Sequence, residues 1–353
     1  GHYRRECLGE MGGSDRDKVL RSVAIAILLA GSILLAGCSG TPPPSKTLKV
    51  IAAGSLLAPF AEAEQEFEAS HPGIDVQIEG HGSIQVIRQV TDLGRTADVI
   101  AVADESLIPD LMYRPMKDSS RNYTDWYQPL STNEMVIAYT NKSRYHDEIN
   151  QENWYRILAR PDVRLGFSNP MLDAAGYRSL MVLQLAEEEY SEPSLFETLV
   201  TDHFPSTIIV SSGTGGTTIS LPEIMRPSDG KVVIRDGSIY LLSLLSAGGI
   251  DYAIEYRSVA EGMNLSYVTL PASIHLGSAE YADRYRDVTV ILGFPRFATI
   301  GSERNGRPIV YAVTVPANAP NPDLALEFIG YIANESAKGR PGWPAPLPEG
   351  AVS

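Results

Sequence analysis

Leu48-Lys49-Val50-Ile51-Ala52-Ala53-Gly54-Ser55 is the stretch whose reading decides the fold. An apolar run interrupted by a single lysine and halted by glycine and serine reads as a buried strand. Leu56, Phe60, Ala63 and Phe67 then recur at helical spacing until His71-Pro72-Gly73 breaks the pattern. The order repeats at once, with a strand from Ile74 to Glu79, a turn at Gly80-His81-Gly82-Ser83, and a helix carrying Ile84, Ile87, Val90 and Leu93. A third strand follows at Ala97 to Ala103. Strand, loop and helix in series predict an open, mostly parallel α/β sheet, whose ligands bind beyond the carboxyl ends of the strands.

Outward from there the rhythm changes. Met135-Val136-Ile137-Ala138-Tyr139 is an apolar strand that does not continue the first series, and it reads as a crossover into a second lobe. That lobe is expected to contain a helix near Trp154-Tyr155-Arg156-Ile157-Leu158 and a strand at Arg164 to Phe167. A loop from Ser168 to Gly176 and a long helix with Leu180, Leu183, Leu185 and Ala186 as apolar positions complete that stretch. Ser194 to Lys231 is rich in Gly, Thr, Ser and Pro and yields only a strand at Thr207 to Val210. Leu241 to Ala247 is an apolar helix stopped by Gly248-Gly249, and Asp251 to Tyr256 reads as the strand that returns the chain to the first lobe. Strand Ile309 to Val315 and helix Pro322 to Ile332 complete it, proline suiting a first helical position. The expected division is therefore lobe one at 47–133 and 257–335, lobe two with its crossover strands at 134–256, and a disordered, proline-rich tail at 336–353. Two passages of chain between two lobes imply a hinge, a cleft and closure about a ligand.

Ahead of the folded part, Arg16, Lys18 and Arg21 precede an apolar run from Val23 to Ala36 and then Leu35-Ala36-Gly37-Cys38. This is the pattern of a secretory leader (1–37) with a lipoprotein cleavage box, making Cys38 the lipid anchor and 38–46 a proline-rich tether. The other reading, a transmembrane anchor, needs roughly 20 apolar residues, more than the run supplies. The residues ahead of Met11 read as an upstream start. The only cysteines are Cys7 and Cys38, which rules out an internal disulfide and a cysteine zinc site in the folded part. A net charge of -14, without clustered Lys and Arg, argues against nucleic acid as a partner. An anionic ligand must then be held by local dipoles.

Those dipoles have candidate places. Gly54-Ser55, Gly82-Ser83 and Asp173 to Gly176 each lie where a strand hands over to a helix, where amide N–H groups are unpaired and a hydroxyl adds a donor. Helix capping is the plainer role for Ser55, Ser83 and Asp173, and it is compatible with ligand contact. Gly213-Thr214-Gly215-Gly216-Thr217-Thr218 lacks the lysine of a nucleotide loop and reads as a flexible surface loop. The six histidines show no metal-ligand spacing, and no nucleophile is paired with a base, so no enzyme is expected. Trp126, Trp154 and Trp343 read as packing or surface aromatics rather than ligand platforms.

Taken together, several motifs carry a resemblance. Ala52-Ala53-Gly54-Ser55-Leu56 with Pro59-Phe60, Gly82-Ser83-Ile84, Thr96-Ala97-Asp98-Val99 and Ala103-Asp104 resemble the N-terminal lobe of the tungstate/molybdate substrate-binding proteins of ABC transporters, closest to the archaeal tungstate-type branch. Asn133 to Thr140, Gly166-Phe167-Ser168-Asn169-Pro170, Gly176-Tyr177-Arg178-Ser179 and Tyr256-Arg257-Ser258-Val259-Ala260 continue it over nearly all of residues 47–332.

The resemblance implies a two-lobed, type II periplasmic-binding-protein-like α/β fold, each lobe an open sheet, the two joined by two crossover strands. It implies an oxyanion held between the lobes by Gly54 and Ser55, Ser83, Asp173 with Ala174, Ser238 and Tyr256, with Asp173 bonding the metal. Three features depart from the family pattern: Ser238 stands where a second metal-bonding glutamate is usual, the segment before it reads Asp236-Gly237, and Ala174-Ala175 replace a Pro-Cys pair. Alternation along its strand turns the other nearby carboxylate, Glu255, away from the face of Tyr256. The expectation is then a tetrahedral oxyanion held largely by hydrogen bonds. Roughly six donors at about 2 kcal/mol each sum to about 12 kcal/mol before closure is charged against them, enough for submicromolar binding. Implied partners are tungstate or molybdate as ligand, an ABC permease with its ATPase, and the membrane through Cys38. A monomer without cofactor is expected. Binding of sulfate or phosphate, or a ligand-sensing lipoprotein coupled to a membrane receptor, are the alternatives.

Overall fold

The computed structural model describes residues 46–205, 207–295 and 300–350, so the leader, Cys38 and most of the tether lie outside the described residues. The folded part opens with β1 (Lys46–Ala53), α1 (Leu57–Ser70), β2 (Ile74–His81), α2 (Ser83–Thr91), β3 (Val99–Val102), α3 (Leu107–Met112) and β4 (Gln128–Thr132). It continues through β5 (Met135–Tyr139), α4 (Trp154–Leu158), β6 (Leu165–Ser168), α5 (Ala174–Glu189), α6 (Leu195–Leu199), β7 (Ile209–Gly213), β8 (Gly216–Ser220) and β9 (Val232–Arg235). The last elements are α7 (Leu241–Ala247), β10 (Tyr252–Tyr256), α8 (Arg257–Gly262), β11 (Ser266–Thr269), α9 (Ala282–Tyr285), β12 (Val288–Ile291), β13 (Glu303–Asn305), β14 (Val310–Thr314) and α10 (Pro322–Ser336).

The first sheet has the order β2-β1-β3-β14-β4. β1 is parallel to both neighbours, which explains why Val50 to Ala53 are buried on both faces while Lys46 and Lys49 near its start are not. Register does the positioning: Ala53 pairs with His81, and Ala52 with Ala101. The loops beginning at Gly54, Gly82 and Ala103 therefore leave the sheet side by side. Phe60, Ala63 and Phe67 bury the apolar face of α1, and Phe328 of α10 meets both phenylalanines edge-on at 6.2 and 5.2 Å. Leu93 lies past the end of α2 and is exposed, outside the core stripe assigned to it.

The second sheet has the order β11-β5-β10-β6-β9. β10, β6 and β9 run parallel, with Ser168 opposite Arg235, so their carboxyl ends also converge. α5 is buried all round from Ala174 to Ala186, the mark of a helix covered on every side, where a one-sided stripe had been the expectation. It packs on β6 and β10 and also against β12 of a third sheet, β13-β12-β8-β7.

This topology corrects three sequence expectations. Residues 257–305 do not belong to lobe one: α8 and β11 pack on or pair with β5 and β10, and β12 and β13 build the third sheet. β10 is an interior strand of the second sheet, flanked by β5 and β6, and the chain returns to the first sheet only between Asn305 and Val310. The stretch 336–353 is not disordered as far as Gly350. Trp343 is buried beside Phe60 with its indole N–H on Glu62, and Ala345 pairs with Thr132 across a β-bridge. Trp343, expected as a packing or surface aromatic, is a packing one and anchors the tail. The tail also reaches the other lobe, where Gly342 lies against Gly262 at the end of α8. The glycine-rich run at Gly213 to Thr218, expected as a flexible surface loop, is the turn of the β7–β8 hairpin and the start of β8.

Candidate functional site between the two sheets

The converging strand ends face each other. From the first sheet, Gly54–Leu56 forms a 3₁₀ turn, and Ser55 inside it caps no helix; its hydroxyl lies 2.8 Å from that of Tyr311 on β14. Ser83 is the first residue of α2 rather than its cap. Its oxygen accepts from the Ala103 amide at 2.9 Å, which ties the β2 and β3 loops together. Simple capping is thus set aside for both serines. Because the Ser83 oxygen is already an acceptor, its proton is free to donate elsewhere.

From the second sheet, Asp173 does cap α5. One carboxylate oxygen accepts from Ala175 N–H at 3.4 Å and the other from Ser238 N–H at 2.9 Å, binding the β6 and β9 loops to each other. Ala174 is buried in the first turn that Asp173 caps. Tyr256 ends β10 with its ring edge-on to Tyr311 at 5.8 Å, and its hydroxyl oxygen accepts from Arg178 Nη1 at 3.0 Å. Its proton, like that of Ser83, remains available.

The two halves are shut on one another. Ile84 and Gln85 N–H both donate to the Leu172 carbonyl, at 3.1 and 3.2 Å, so these two amides at the α2 start serve closure instead of a ligand. A Cβ on Gly82 would fall 2.3 Å from the Leu172 oxygen, and only glycine permits this approach. The Ile239 side chain packs over Gly54 in the same way, 3.1 Å from where a Cβ would stand. Ser55, Ser83, Asp173, Ser238 and Tyr256 are all buried. Beside them, His81, Gln85, Ile234, Arg235, Asp236 and Tyr240 line a cavity of about 360 Å³ at the edge of the closed cleft.

Three buried polar atoms around Asp173 have no hydrogen-bond partner: Ser168 Oγ, Arg178 Nη2 and Glu255 Oε2. Buried polar groups are nearly always paired, so these three keep bonding capacity beside the serine and tyrosine hydroxyls of the closed cleft. Electrostatically, burial raises the Asp173 carboxyl despite the Ser238 N–H and nearby Ser168 and Arg178. Burial, with the charge of Asp173, pushes Glu255 up to about 8, leaving it largely neutral at neutral pH. Glu255 therefore belongs to the site: its buried carboxyl accepts from the Tyr256 amide at 2.9 Å and feels the charge of Asp173. Across the cleft, burial works against the Asp104 carboxylate, yet Arg178 and Arg304 hold it at about 2.

The structure thus brings together Gly54, Ser55, Ser83, Asp173, Ala174, Ser238 and Tyr256. It adds Tyr311, Arg178, Asp104 and Glu255. Among the described residues no group of three or more His, Cys, Asp or Glu is arranged to hold a metal ion. Free hydroxyl protons from both sides of a closed cleft suit an oxygen-rich acceptor of compact shape.

Known proteins are similar to this chain in sequence and in fold. A Pyrococcus abyssi protein named molybdate/tungstate-binding protein WtpA is 43% identical over 328 residues, 90% of this chain and 89% of its own. A Thermococcus kodakarensis protein of the same name is 41% identical over 332 residues, covering 89% and 88%. An uncharacterized solute-binding protein of Methanoculleus marisnigri is 41% identical over 345 residues, covering 93% and 94%. Among solved structures, the periplasmic molybdate-binding protein of Azotobacter vinelandii superposes with a TM-score of 0.52 over 81% of this chain and 92% of its own at 15% identity, a likeness of fold. Residues 48–340 match the family described as bacterial extracellular solute-binding protein, and the chain belongs to that family.

Proposed function

We propose that this protein captures tungstate or molybdate between its lobes, outside the cytoplasm, and delivers it to an ABC permease driven by an ATPase. One observation carries the reading: hydroxyls from both sheets, with protons left free by the bonds their oxygens already accept, converge on a buried site ringed by unpaired polar atoms. The relatives named for molybdate and tungstate, at 41 and 43% identity along most of the chain, supply the class of anion. Ser55, Ser83, Ser238 and Tyr256 serve as hydrogen-bond donors. Asp173, its oxygens engaged by Ala175 and Ser238, orders the second lobe's loops and flanks the anion; bonding to the metal would use its remaining lone pairs. Binding proceeds without catalysis and without cofactor. Cys38 carries a lipid that keeps a monomeric chain at the membrane.

Isothermal titration with tungstate, molybdate, sulfate and phosphate tests this. Submicromolar binding of tungstate or molybdate, with sulfate and phosphate at least a hundredfold weaker, is the expected result. Preference for sulfate or phosphate would move the protein to another oxyanion, and absence of heat with all four would end the reading. Binding without any effect on uptake by cells carrying the permease would favour a sensor.

A further inference from the structure

Arg178 has a task that anion binding alone does not explain. It lies on α5 of the second lobe and is almost wholly buried. Its Nη1 donates to two acceptors at once: the Ala103 carbonyl of the first lobe at 2.6 Å and the Tyr256 hydroxyl at 3.0 Å. Nη2 stands 3.9 Å from Asp104 Oδ2, too far for a hydrogen bond, and is otherwise unpaired. The neighbouring Tyr177 hydroxyl donates to the same Asp104 oxygen at 2.5 Å. Asp104 is fixed in turn by the Ser106 amide and hydroxyl, and Arg304 reaches the same loop through Ser106 and Asp110. All the Ala103 and Asp104 contacts of Arg178 cross the cleft, so they exist only while the lobes are together. An arginine buried this deeply needs partners, and parting the lobes would return it and Asp104 to water.

We propose that Arg178 is a positioning residue that links closure to ligand retention: anchored on Ala103 and Asp104 of the facing lobe, it occupies the acceptor side of the Tyr256 hydroxyl, so that the phenol proton points at the bound anion. The inference rests on the oxyanion reading above. It assigns Tyr256 a strength that depends on the other lobe, and it makes the residence time of the anion, more than its rate of entry, sensitive to Arg178.

The test is a double-mutant cycle on the full-length chain with tungstate as probe. Dissociation is followed by stopped-flow chase with excess molybdate, and closure by X-ray scattering. Arg178→Met should raise the dissociation rate at least tenfold while changing association less than threefold, and should reduce the contraction on tungstate. Tyr256→Phe should raise dissociation in the wild-type background and add little in the Arg178→Met background, a coupling that loss of packing would not produce. Asp104→Asn, which leaves both residues in place, should accelerate release as well. Equal effects of Tyr256→Phe in both backgrounds, or a wild-type dissociation rate in Arg178→Met, would overturn the inference while leaving the oxyanion reading intact. If Arg178→Met does not fold, Arg178→Lys, which offers one ammonium where the guanidinium serves two acceptors, takes its place in the same cycle with the same criteria. A wild type that binds no tungstate would remove both readings together.

Discussion

Ser83 shows how one hydroxyl can serve fold and ligand together. Its oxygen receives the Ala103 amide, which joins two loops of the first sheet and leaves the proton to donate. A hydrogen bond to a charged acceptor contributes about 1.5–3 kcal/mol, so Ser55→Ala and Ser83→Ala should each weaken tungstate binding by roughly tenfold to a hundredfold. Calorimetry on the single and double variants decides this; undiminished affinity in the double variant would confine both serines to their Tyr311 and Ala103 bonds. Glu255 makes a prediction about pH. The folded chain holds its proton up to about pH 8, while the unfolded chain releases it near 4.5. Between those values the folded state binds more protons, so this residue makes stability fall as pH rises. The thermal midpoint should accordingly drop less between pH 5 and pH 8.5 in Glu255→Gln than in the wild type. Identical slopes would show that Glu255 ionises as an ordinary carboxyl. The serines were legible in the sequence because each follows a strand and a glycine. Tyr311 was not, since its bond to Ser55 spans 256 positions and its strand carries no loop motif. Alternation set Glu255 aside from the site but could not show that burial beside Asp173 would keep its proton.

At the level of elements, most strands of the first sheet were readable and the short late strands outside it were not. β1 and β3 stand out as apolar runs and β2 as an alternation of apolar and polar residues, with a helix between each pair, local signals of the kind periodicity detects. β11, β12 and β13 have three or four residues each; Ser266-Tyr267-Val268-Thr269 has half its positions polar and Glu303-Arg304-Asn305 all of them, while Val288-Thr289-Val290-Ile291 is β-branched but too short to stand out from its surroundings. That is why the second lobe's extent and the third sheet escaped the sequence reading. The loops that meet across the cleft are held by their shape as much as by their chemistry. Gly82→Ala would drive a methyl group into the Leu172 carbonyl. It should leave the unfolding midpoint of the ligand-free protein within a few degrees and weaken tungstate at least tenfold, because the obstruction is felt only on closure. Wild-type affinity in this variant would mean that Leu172 can yield without consequence.

On the scale of the whole molecule, an acidic protein of net charge -14 is proposed to hold an anion. The long-range field opposes the ligand, and the site answers with oriented groups at short range. The Arg178 guanidinium, which donates to Tyr256, is balanced by Asp104 across the cleft. The tail touches both lobes. It is fastened to the first lobe through Ala345 and Trp343, yet at Gly342 it rests against Gly262 of the second. A Cβ on Gly262 would stand 3.0 Å from the Gly342 Cα, so two bare backbones form that contact. Such a contact is a bearing: with no side chains to interlock, one surface can glide over the other as the jaws swing. Gly262→Val would turn the bearing into a wedge. Tungstate should then close a smaller share of molecules, seen as a larger radius of gyration at saturation, and a wild-type radius would show that the swing bypasses this point.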